Sequence, residues 1–77
     1  MLERSERMLE HKKVLCQCAT LAGRNPDIYN ALKQICIKWS NGSYNTLNEA
    51  YEYLKENKAD EVEDFINMLA YMVRVSN

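Results

Sequence analysis

The sequence predicts an all-α fold: a small compact bundle of four helices, or of three helices plus an N-terminal helical arm, in a single domain covering residues 1–77. Three observations predict it. Apolar residues recur at three- and four-residue spacing and do not alternate; two glycines and one proline are the only strong breakers in 77 residues; and helix start and stop signals separate the periodic segments.

The first segment runs from about Leu2 to Ala22, with Leu2, Leu9 and Cys16 seven apart and Met1, Met8, Leu15 and Ala22 beside them. Its apolar stripe is narrow until Leu15, because Ser5 and Lys12 occupy positions that a strong coiled-coil seam fills with Leu or Ile. Gly23 is expected to end this helix in a left-handed cap. Asn25-Pro26 restarts the chain, since Asn is a favoured N-cap and the fixed φ of proline suits the first helical position. Ile28, Leu32, Ile35 and Trp39, widened by Cys36, make a face broad enough for two neighbours, so the second helix is expected at the centre of the bundle. Gly42, within Ser40-Asn41-Gly42-Ser43, supplies the stop.

Thr46 and Glu49 have the spacing of a capping box and predict a third helix that ends near Lys58. Its inner face is Leu47, Ala50, Tyr51 and Leu54, with Glu49, Tyr53, Glu56 and Asn57 outward. A fourth helix is expected from Asp60, whose neighbours Glu61, Glu63 and Asp64 oppose the positive end of the helix dipole. Val62, Phe65, Ile66, Leu69 and Val73 trace its inner face. Met68, Tyr71, Met72 and Val75 extend apolar character beyond that face, so either this helix sits centrally or its far side meets another chain.

A chain of this size buries only about 60% of its unfolded surface, so a monomer has little stability in reserve. Disulfides, a metal and a partner subunit are the usual supplements. Cys16, Cys18 and Cys36 form an odd set with no secretory leader ahead of them, and the expectation is a reducing, cytoplasmic setting. The longest apolar stretch, Ile66 to Val75, is broken by Asn67 and Arg74 and falls far short of the ~20 residues of a membrane span. The net charge of −1 hides an asymmetry. Residues 1–40 carry seven basic and four acidic side chains, and residues 41–77 carry three and seven.

No chemistry-bearing constellation emerges. Residues two apart on a helix point about 200° from one another, so Cys16 and Cys18 cannot share one tetrahedral ion, and no second histidine accompanies His11. The cysteines are expected to be buried or half-buried structural residues. His11 is expected at the surface, because the nearest acid, Glu10, lies on another side of the helix. Glu61, Glu63 and Asp64 are accounted for as helix-start acids, without the D-x-D-x-D-G pattern of a calcium loop. Ser40-Asn41-Gly42-Ser43 lacks the G-K-[ST] ending of a phosphate loop, and no nucleophile motif is present. The expectation is a non-enzymatic protein with no cofactor and no metal.

Recognition of another macromolecule remains. The leading expectation is a protein-interaction module that also self-associates, as a dimer by preference, through its terminal helices. The candidate contacts are Leu2, Met8, Leu9, Tyr53, Met68, Tyr71 and Met72, with Tyr44 a further exposed aromatic. Small size and richness in Asn, Lys, Tyr and Ile also fit an accessory protein of a low-GC phage or mobile element that binds and inhibits a host macromolecule. In that case the acidic face Glu49, Glu52, Glu56 and Glu63 is a possible contact surface. One alternative is a helical DNA- or RNA-binding regulator using Arg4, Arg7, Lys12 and Lys13, although Glu3, Glu6 and Glu10 dilute that charge and the third helix repels phosphate. Another is an oligomer that binds a small ligand.

Overall fold

The computed structural model describes residues 4–76, and the side chains of residues 9–76. Four α-helices follow in order, α1 (Arg4–Arg24), α2 (Pro26–Trp39), α3 (Leu47–Asn57) and α4 (Val62–Ser76), with one turn of 3₁₀ helix at Ala59–Glu61 leading into α4. The protein is a small all-α bundle, with a radius of gyration of 11.9 Å against about 11.5 Å for a compact chain of this length. Among the described residues, no helix is long and apolar enough to cross a membrane.

The central helix is α1, not α2 as its broad apolar face suggested. The first helix packs along both α2 and α4, while α3 packs mainly on α2 and also meets α1 and α4. The narrow seam of α1 suffices because its buried positions divide between two neighbours. His11 and Cys18 turn toward α3 and α4, whereas Leu15 and the small residues Ala19, Ala22 and Gly23 line the side toward α2. The core joins Leu15 and Cys18 of α1, Leu32 and Cys36 of α2, Ala50, Tyr51 and Leu54 of α3, and Val62, Phe65, Ile66 and Leu69 of α4. Trp39 closes it between α2 and α4, its ring 5.7 Å from that of Phe65.

The connections show where local signals hold and where packing overrides them. Gly23 does not cap α1. The helix continues through Arg24, the Asn25 N–H still donates to Leu21 O at 3.0 Å, and positive φ occurs only at Asn41 and Gly42 among the described residues. Asn25 then caps α2 as expected, its side-chain oxygen accepting from the Asp27 N–H at 2.9 Å. After α2, Asn41 (φ 55) and Gly42 (φ 80) turn the chain, and the Gly42 N–H returns to Ile37 O at 2.7 Å as in a left-handed helix cap. Buried Ser40 fixes this turn by donating to Cys36 O at 2.7 Å and accepting from the Tyr44 N–H at 2.9 Å.

Thr46 sits at the N-cap of α3, but the capping box is not made. Its hydroxyl donates to the Glu49 carboxylate at 2.7 Å, so neither side chain binds the backbone N–H groups of the first turn. The fourth helix begins two residues later than Asp60, which lies in the 3₁₀ turn, and Glu63 and Asp64 occupy its first turn.

Candidate functional site

Two arrangements merit description: a polar network at the junction of α1, α3 and α4, and an open groove along the seam of α1 and α2.

The network centres on His11, which is only 8% exposed and not at the surface as its local sequence suggested. Its Nδ1 meets the Tyr51 hydroxyl at 2.9 Å, and its Nε2 meets Glu63 Oε1 at 3.0 Å. The neutral ring donates through Nε2 and accepts from the phenol; the protonated ring donates through both nitrogens, with the phenol oxygen as acceptor. The neutral state pairs every donor and acceptor, whereas the protonated state leaves the Tyr51 O–H without an acceptor among the described residues. Glu63 is the orienting acid that neighbours in sequence could not supply, and it comes from a different helix.

A histidine between a phenol and a carboxylate has the outline of an acid–base set, but two features give it a structural role. Tyr51 is 5% exposed, and burial, helped by the charges of Glu52 and Glu63, raises its pKa, so the phenol keeps its proton. The groove, moreover, is lined by none of the three residues. The network ties three helices together, and no buried side-chain nitrogen or oxygen among the described residues lacks a partner.

The groove has a volume of about 650 Å³ and is partly open to solvent. Its α1 wall is Lys12, Leu15, Cys16, Ala19, Ala22 and Gly23, and its α2 wall is Tyr29, Leu32, Lys33 and Cys36. Asn45, Thr46, Leu47 and Asn48, at the start of α3, close one end. The floor is apolar, the rims carry Lys12 and Lys33, and no acidic side chain among the described residues lines it. The groove owes its depth to small residues, because at Ala19, Ala22 and Gly23 α1 puts little more than backbone between its neighbours. Cys16 is exposed there, contrary to its expected burial, whereas Cys18 and Cys36 are buried with thiol pKa values pushed up to about 11 by desolvation. Among the described residues, no group of three or more His, Cys, Asp or Glu side chains is placed to hold a metal ion.

The residues predicted as contacts divide sharply. Leu9 (67% exposed), Tyr71 (63%) and Met68 (39%) are outward, and Val75 joins them on α4 at 60%. Tyr53 is not an exposed anchor. It is half-buried against the core, accepts from Asn41 Nδ2 at 3.2 Å and stacks edge-on with Tyr44, which is itself exposed. Met72 is likewise half-buried on the core. Glu49, Glu52 and Glu56 form one exposed stripe on α3, but Glu63 is engaged by His11. Lys12 and Lys13 are exposed and pair with no described acid. Leu2 lies outside the described residues, and Met8, Arg4 and Arg7 outside the described side chains.

Sequence reasoning missed Tyr29, 55% exposed, and Lys33, because each falls beside the apolar face of α2 and only the neighbouring helix reveals that they line a cleft. No protein-family model, no curated protein and no solved structure matches this chain.

Proposed function

We infer that this chain is a non-enzymatic protein-interaction module that receives a helical segment of a partner in the α1–α2 groove. The observation that carries this reading is the groove itself: apolar along its floor, cationic at its rims and lined by no acid among the described residues. An amphipathic helix with apolar residues at i, i+3, i+4 and i+7 and an acid at its edge has the complementary form. Partner inhibition is one use of such binding, and the exposed Glu49, Glu52 and Glu56 stripe offers a second, oppositely charged contact to a basic target.

Capture of partners from native lysate on immobilised chain, with Ala19→Trp as control, tests this reading. Ala19 is exposed on the groove wall, so an indole there fills the cleft without entering the core. A specific partner held by the wild type and lost by Ala19→Trp supports the reading; retention of every partner by the variant counts against it.

The exposure of Lys12 and Lys13 with no acidic partner among the described residues favours a second reading, nucleic-acid contact through α1. Its mark is a mobility shift of DNA or RNA that weakens with salt and with neutralisation of both lysines. Binding that survives their neutralisation sinks it.

A further inference from the structure

The outward face of α4 and the α1 wall of the groove have the same spacing. Asp64, Met68, Tyr71 and Val75 follow one another at i, i+4, i+7 and i+11 on α4, all exposed. Lys12, Cys16, Ala19 and Gly23 follow the same steps on α1, all exposed and all lining the groove. Eleven residues of helix cover about 16 Å in each case. Side chains so spaced lie on one face of a helix, so two such faces laid parallel meet residue against residue.

In that register the chemistry matches at every step. Asp64 comes opposite Lys12, and neither is ion-paired with a described side chain. Met68, Tyr71 and Val75 come opposite Cys16, Ala19 and Gly23. Large side chains thus enter the positions where α1 is thinnest, the condition for close helix approach. We propose that the α1–α2 groove is the seat for α4 of a second copy of this chain, packed parallel to α1 with Asp64 at Lys12 and Tyr71 over Ala19. This rests on the reading of the groove as a protein-binding seat and names its occupant.

No residue of α4 lines the groove, so ridge and groove are separate surfaces. Two copies that exchange α4 reciprocally close a dimer, and one-way contacts close into a larger ring or continue as a chain. One helix face against one groove is a small interface, of the class that associates weakly.

Sedimentation of the full chain from about 10 μM to about 1 mM, where weak interfaces become populated, tests the proposal. The wild-type mass is expected to climb from 9.0 kDa to that of two chains or more. Ala19→Trp, which blocks the groove, and Tyr71→Glu, which spoils the ridge, should each stay at 9.0 kDa, with helical circular dichroism confirming that both fold. Mixed in equal amounts, they should form a particle of two chains and no larger, since one contributes an intact ridge and the other an intact groove. A wild type that remains at 9.0 kDa throughout overturns the proposal, as does a mixture that stays monomeric. If the wild type is monomeric yet Ala19→Trp still loses a partner from lysate, self-docking fails and the groove reading stands. If Ala19→Trp changes neither measurement, both fail.

Discussion

His11 on α1 and Tyr51 on α3, 40 positions apart, share a 2.9 Å hydrogen bond, with their rings edge to face at 5.7 Å. Through the other ring nitrogen the same imidazole reaches Glu63 on α4, so one side chain joins three of the four helices.

The cost of breaking this network should follow the burial of what is left unpaired. His11→Ala leaves the Tyr51 hydroxyl buried without a partner and opens a cavity, and is expected to cost about 2–3 kcal/mol. In a chain of this size that lowers Tm by about 10 °C or more. Tyr51→Phe should cost about 1 kcal/mol, and Glu63→Gln less, because the Glu63 side chain is 57% exposed. Thermal denaturation of the three variants gives the ranking. A Glu63 variant weaker than the His11 variant would contradict it.

Alkaline pH should destabilise the fold through the buried thiols. Desolvation pushes Cys18, and desolvation with the nearby Cys18 charge pushes Cys36, from 9.0 to about 11. Above pH 9 the unfolded chain therefore releases protons that the folded chain still holds, and the stability of the fold must fall as pH rises. Tyr51, also shifted upward, adds in the same direction at higher pH. Urea midpoints are expected to be insensitive to these groups below pH 9 and to drop between pH 9 and 11. Cys18→Ala combined with Cys36→Ala should flatten that drop. A wild-type midpoint that holds to pH 11 would contradict the assigned burial of the thiols.

The two glycines should respond in opposite senses to the same substitution. A Cβ meets nothing within 4 Å at either position. Gly23 is helical, so Gly23→Ala should stabilise by about 0.5 kcal/mol through backbone entropy. Gly42 has φ +80, so Gly42→Ala should destabilise by about 1 kcal/mol despite the open space. Equal shifts in Tm would refute the conformational assignment.

Element type was legible in the sequence because helical periodicity and terminal signals are local. The cap at Asn25, the stop at Gly42 and the inner face Val62–Phe65–Ile66–Leu69 all follow from neighbours in the chain. The role of His11 was not legible, since its two partners lie 40 and 52 positions away. Tyr53 misled for the same reason, because it packs against a core assembled from all four helices and takes its hydrogen bond from Asn41 in the preceding turn. Gly23 misled because a glycine near a helix end serves equally as a left-handed cap or as a helical residue, and the Asn25 cap made the first unnecessary. The groove was half legible. Leu15, Cys16 and Ala22 stood out as apolar positions, but a cleft needs two walls, and Tyr29 and Lys33 joined it only when α2 folded back on α1.

The alkylation rate of Cys16 tests most directly whether this groove seats protein. Cys16 is the one exposed cysteine of three and stands on the groove wall, so it reacts at once in the dilute, free chain while Cys18 and Cys36 wait for opening of the fold. With a protein segment in the groove, whether a second copy at high concentration or a partner captured from lysate, its rate should fall by about tenfold or more, and Ala19→Trp should abolish the dependence on either. A Cys16 that reacts equally fast in the dilute chain, the concentrated chain and the captured complex would contradict the groove as the site of binding.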